Sequence, residues 1–125
     1  MYLLDTNILL EILLNQRKAE KCKEFIDHNI EEVIISDFSL HSIGVILLRY
    51  EKEEAFNVFI RDIAPTFKIL SLPLSVYTNI YELKREYDLD FDDAYNFKIS
   101  EFFNLILVTM DKDFDIIKDA DILFL

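Results

Sequence analysis

Apolar residues along this chain follow two rhythms. Short, largely unbroken runs occur at Met1-Tyr2-Leu3-Leu4, Val33-Ile34-Ile35, residues 67–72, Leu105-Ile106-Leu107-Val108 and Ile122-Leu123-Phe124-Leu125. Between them lie longer stretches whose apolar positions recur every three or four residues, as on one face of a helix. Residues 7–14 are apolar almost all round and read as a buried helix. Asn15-Gln16 marks a break. Residues 17–28 read as an amphipathic helix with Cys22, Phe25 and Ile26 inward. Residues 38–50 form the next helix, capped by Ser36 or Asp37, and residues 51–63 another, with Phe56, Phe59 and Ile60 at helical spacing. Pro65 ends it. Pro73-Leu74-Ser75 leads into a helix reaching about Tyr87, and Asp88-Leu89-Asp90 is a loop. Residues 91–103 make a further helix that Asn104 closes, and Thr109 opens a polar turn with a short helical piece.

Strands that alternate with helices, each strand apolar on both faces, predict a parallel sheet covered on both sides. No repeat, linker or low-complexity segment divides the 125 residues, so one domain over 1–125 is expected. No apolar segment runs far enough without a charge to span a membrane. Asp5 and Glu11 precede any Lys or Arg, unlike a secretory signal. The single cysteine excludes an internal disulfide and fits a reducing cytoplasm.

Charge changes the picture. A net charge of −11 argues against general affinity for nucleic acid and permits a divalent cation or a basic protein partner. Acids also stand at four places beside strand ends or helix starts: Asp5, Asp37, the run Asp90-Phe91-Asp92-Asp93, and the run Thr109-Met110-Asp111-Lys112-Asp113. In a parallel sheet these fall on one edge, the edge at which ligands bind. Each has an ordinary explanation. Asp5 caps a helix well, Asp90 with Asp93 resembles a capping box, and Asp111 and Asp113 suit a turn. Together they suggest convergence, and converging carboxylates need a cation. Oxygen ligands select Mg²⁺ or Mn²⁺. His28, His41 and one cysteine are too few for a zinc cage, and one glycine, Gly44, leaves no phosphate-binding loop. A phosphoacceptor signalling domain fits poorly, because Pro73 and Leu74 follow the third strand and Asp5 stands alone after the first.

Four pieces resemble the PIN-domain family, in particular the VapC-type toxins. They are Leu3-Leu4-Asp5-Thr6-Asn7, Ile35-Ser36 with Ser39-Leu40 behind it, Asp92-Asp93-Ala94, and Val108-Thr109-Met110-Asp111-Lys112-Asp113-Phe114. The resemblance covers the whole chain. It implies an α/β/α sandwich and a Mg²⁺- or Mn²⁺-dependent endoribonuclease in the cytoplasm, acting on RNA, frequently dimeric and paired with an antitoxin. It carries three family acids onto Asp5, Asp93 and Asp111, an auxiliary metal position onto Asp113, and supporting polar positions onto Asn7 and Thr109. The family's further glutamate, in a Thr-Leu-x-Glu-Leu context, meets Ser39-Leu40-His41-Ser42-Ile43 here, so Ser42 stands in its place. The alternative expectation is therefore a weakened or inactive PIN-fold protein that serves as an interaction module.

Overall fold

The computed structural model describes residues 1–125. Five strands, β1 (Tyr2–Leu4), β2 (Val33–Ser36), β3 (Lys68–Leu70), β4 (Ile106–Thr109) and β5 (Ile122–Phe124), form one sheet in the order β3-β2-β1-β4-β5. All four pairings are parallel. The helices are α1 (Thr6–Leu13), α2 (Ala19–His28), α3 (Asp37–Arg49), α4 (Glu53–Val58), α5 (Thr78–Tyr87) and α6 (Phe91–Phe102).

Side chains alternate across a strand, and here both directions are apolar. Leu3, Ile34 and Leu107 point into a core with Ile80 and Leu83 of α5 and Ala94, Phe97 and Ile99 of α6. Leu4, Val33, Ile35 and Val108 point the other way, against Ile8, Leu9, Cys22, Ile26, Ile43 and Leu47 of α1 to α3. The two cores are the reason the strands read as unbroken apolar runs. Burying each such side chain stabilises the fold by ~1.5–3 kcal/mol. The three-layer α/β/α sandwich follows directly. No helix is long and apolar enough to cross a membrane.

The differences from expectation lie at boundaries. The first helix starts at Thr6 because Asp5 caps it, and α2 starts at Ala19. The helix expected over 51–63 divides into α4, a wider π turn over Phe59–Ile63 and a 3₁₀ turn over Ala64–Thr66. Of the apolar residues at helical spacing there, Phe59 is buried and Ile60 is exposed. Strand β3 is shorter than 67–72 because its only neighbour, β2, ends at Ser36 opposite Leu70. Beyond that point the Leu72 N–H donates to the Tyr95 hydroxyl instead, at 3.0 Å. The lone glycine lies inside α3, where a Cβ would meet the Phe56 ring at 3.2 Å. The left-handed positions that close helices and turns fall instead to Asn15, Glu51, Asp88 and Asn104.

Candidate active site

The strand order changes direction at β1. The chain steps outward from β1 to β2 and β3, then returns to β1's other side for β4 and β5. A crevice opens at such a switch point, beyond the carboxyl ends of the strands. Asp5 follows β1 and Asp111 follows β4, so the two flank it.

Asp5 is buried, and four donors reach its carboxylate. Oδ1 accepts from the Thr6 N–H at 2.8 Å and from Asn96 Nδ2 at 3.1 Å. Oδ2 accepts from the Thr109 hydroxyl at 2.8 Å and from Asn7 Nδ2 at 3.3 Å. Burial raises its pKa, while the bonds from Thr109, Asn96 and Thr6 pull it back down. Both ordinary and chemical readings of Asp5 thus meet in one residue: it caps α1 and faces the crevice.

Asp93 is the third residue of α6 and half-buried. Its pKa is pushed up to about 7, first by burial and then by the charges of Asp5, Asp92, Asp111 and Asp90. Asp111 heads the 3₁₀ turn Lys112–Ile116, where it accepts from the Asp113 N–H at 2.9 Å. Its own N–H donates to Thr109 Oγ1 at 3.0 Å, tying it to the donor that holds Asp5. Carboxylate oxygens of Asp93, Asp111 and Asp113 lie within 4.8 Å of one another. None of the chain's salt bridges involves Asp5, Asp93, Asp111 or Asp113. This is a concentration of negative charge without a side-chain counter-ion. Its donors are all oxygens, which fits a hard divalent cation. Asp5 belongs to no such triplet.

The structure therefore brings together Asp5, Asp93, Asp111, Asp113, Asn7 and Thr109. It does not bring Asp37 to them, because that carboxylate accepts from the Tyr95 hydroxyl at 2.7 Å. Asp90 occupies the cap position of α6 but makes no side-chain capping bond, so no capping box forms. Asp90 and Asp92 make a second, solvent-exposed grouping with Asp93. Ser42 makes no hydrogen bond to the cluster. It lines a shallow groove along α3 with Phe38, His41, Val45 and Ile46. Ser39, one turn earlier, is the α3 residue in the network, with its hydroxyl 2.8 Å from that of Thr6.

Ser36, expected only as a cap of α3, has a second role, and one further participant, Asn96, was not expected from the sequence. Ser36 caps α3 through the Ser39 N–H at 3.0 Å and also donates to Asn96 Oδ1 at 2.6 Å. Asn96 itself is buried in an otherwise apolar stretch of α6. The available signal was its spacing, three residues after Asp93 and hence on the same helical face.

Comparison with known proteins bears on family and fold. The sequence profile of the PIN domain matches residues 2–120. No curated protein matches the sequence. Similar solved structures include a toxin–antitoxin complex from Klebsiella pneumoniae, 22% identical, with a TM-score of 0.77 over 98% of this chain and 96% of that one. FitAcB from Neisseria gonorrhoeae is 23% identical, with a TM-score of 0.76 over 98% and 96%. VapC20 from Mycobacterium tuberculosis, described as a sarcin–ricin loop cleaving toxin, is 16% identical, with a TM-score of 0.77 over 93% and 94%. These likenesses are of fold. With the profile spanning nearly the whole length and the fold in agreement, the chain belongs to the PIN-domain family.

Proposed function

We propose that the chain is a divalent-metal-dependent endoribonuclease, the toxin half of a type II toxin–antitoxin pair. The observation that carries this reading is the Asp93, Asp111 and Asp113 triplet beside buried Asp5, uncompensated by any basic side chain. Asp93, Asp111 and Asp113 would hold Mg²⁺ or Mn²⁺, with Asp5 adjoining. When bound, such an ion activates water and stabilises charge on a phosphoryl oxygen. Asp5, held by its four donors, keeps its carboxyl group fixed at the crevice floor. Asn7 and Thr109 keep the β1 and β4 ends in register, since Asn7 Nδ2 also reaches Thr109 Oγ1 at 3.3 Å. At −11, the chain depends on the cation to admit an RNA phosphate to this crevice.

Membership of the PIN family and the likeness to toxin–antitoxin structures support an antitoxin partner. Its recognition segment would be basic, matching the charge, and amphipathic. An apolar cleft of about 320 Å³ would take its apolar side chains, lined by Leu9, Leu13, Ile26, Phe59 and Ile63. A homodimer is the expected assembly. The setting is the reducing cytoplasm, where buried Cys22 stays a thiol.

The test is cleavage of structured RNA by purified protein with Mn²⁺, beside Asp93→Asn and Asp111→Asn. Cleavage by the wild type alone supports the reading. A wild type that binds Mn²⁺ without cutting overturns it. That outcome would favour a second reading, a non-cutting PIN-fold interaction module. Ser42, a neutral residue at the family's glutamate position that contacts no member of the acidic cluster, motivates it.

A further inference from the structure

Asn96 is a costly residue for its place. It is 1% exposed, on the face of α6 that packs against the sheet, between buried Tyr95 and Phe97. Burying an amide costs free energy that its hydrogen bonds only about recover. An apolar residue would serve the packing of α6 as well or better. The amide's bonds are specific. Nδ2 donates to Asp5 Oδ1 at 3.1 Å and to Ser39 Oγ at 3.2 Å, and Oδ1 accepts from the Ser36 hydroxyl at 2.6 Å. The Asp5 carboxylate can only accept, so it turns Nδ2 toward itself and leaves Oδ1 to the Ser36 hydroxyl. No buried side-chain polar atom of the chain is left without a partner, so the network is closed.

Asn96 stands one helical turn after Asp93. Helix α6 thus presents a candidate metal ligand and a clamp on Asp5 from the same face. The clamp matters because the final torsion of an aspartate is soft. Thr109 and Asn7 engage only Oδ2, on the β4 side, and Asn96 is the only side chain engaging Oδ1. Without it Oδ1 keeps only the Thr6 N–H, so the carboxylate loses one of its two anchors on that oxygen while Oδ2 stays held by Thr109 and Asn7.

We propose that Asn96 is a positioning residue of the acidic site, its amide fixing the carboxylate plane of Asp5 relative to Asp93 and thereby setting the site's affinity for a divalent cation. This rests on reading Asp93, Asp111 and Asp113, with Asp5 adjoining, as a metal-binding site. Groups that orient metal ligands commonly change affinity by ~10–100-fold, and that is the effect expected here.

The experiment measures Mn²⁺ affinity by titration calorimetry and Mn²⁺ spin resonance, well below the melting temperature. The proteins are wild type, Asn96→Leu, Asp5→Asn and the double variant. A purely structural role for Asn96 would lower the melting temperature and leave the affinity of the folded protein alone. The proposal expects Asn96→Leu to bind Mn²⁺ about 10–100-fold more weakly. It also expects Asn96→Leu to add nothing in the Asp5→Asn background, because the effect passes through Asp5. If Asn96→Leu does not fold, Asn96→Ser, smaller and still polar, is measured in its place with the same expectation. Unchanged affinity in a folded Asn96 variant overturns the proposal alone, with the metal site standing. Equal losses in both backgrounds also overturn it. A wild type that binds no Mn²⁺ overturns the metal reading itself, and this inference with it.

Discussion

Without a cation, Asp93 destabilises the fold that carries it, and Asp93→Asn should reveal this. Its pKa is about 7 in the folded chain against 3.8 for an ordinary aspartate. Between those values the native state holds a proton that the unfolded state has released. Stability therefore falls as pH rises from about 4 to about 7 and stays low above that. A shift of that size corresponds to ~4 kcal/mol at 1.36 kcal/mol per unit. Asp93 is only half-buried, and solvent screening brings this to ~2 kcal/mol. An opposing effect is smaller: a carboxylate in the first turn of α6 gains ~0.5 kcal/mol from the helix dipole, which Asn forgoes. Asp93→Asn should thus be ~1–2 kcal/mol more stable than wild type at pH 8 without metal, and no more stable near pH 4. For a chain of this length that is ~4–8 °C in melting temperature. Saturating Mn²⁺ should reverse the order, since an ion at a hundred times its Kd contributes ~2.7 kcal/mol to the protein that binds it. Thermal unfolding followed by circular dichroism at pH 4, 6 and 8, with and without Mn²⁺, reads all three effects. A variant no more stable than wild type at pH 8, or a gain independent of pH, would refute the account of Asp93 as a crowded carboxyl.

Ser42→Glu should tighten Mn²⁺ binding roughly five- to hundred-fold, as read by calorimetry, by adding a carboxylate one turn along α3 from Ser39; weaker binding in a folded protein would remove Ser42 from the site's surroundings. Tyr95→Phe should cost ~1–3 kcal/mol in chemical denaturation, because the buried Leu72 N–H loses its acceptor and Asp37 loses a donor. Glu51→Gly should stabilise by ~1 kcal/mol, because Glu51 holds a φ of 56° that a side chain disfavours; an unchanged melting temperature would count against strain there. Mn²⁺ affinity should weaken about tenfold per pH unit below 7 as the proton on Asp93 competes with the ion, so flat affinity from pH 5 to 8 would place the ion elsewhere.

The sandwich was legible because β1, β2 and β4 are buried on both faces, and a two-sided core writes itself as an unbroken apolar run. Asn15 and Asn104 announced the ends of their helices for a local reason, their tolerance of the left-handed conformation. What depended on neighbours was hidden. The π turn at Phe59 and the early end of β3 are set by packing and by where β2 stops. The acids at Asp5, Asp93 and Asp111 could be placed on one edge from topology alone, but which of them gather could not. Asp37 shares the edge and is drawn to Tyr95 instead. Asn96 could not be linked to Ser36, Ser39 and Asp5 from the sequence, because its bonds join three segments distant along the chain.

The central position of β1 has a consequence for how the molecule comes into being. One of its edges pairs with β2, but the other waits for β4, and the Thr109 donor to Asp5 lies 104 residues further along. At ~5–20 residues per second of synthesis, β4 trails β1 by roughly 5–20 s. Throughout that interval the middle strand has an open edge, which invites pairing with other chains. The acids of the crevice are meanwhile strangers to one another. Closing the centre of the sheet and assembling the site are a single late event, so a ribosome-bound chain stalled before Ile106 carries Asp5 and Asp93 but no crevice between β1 and β4.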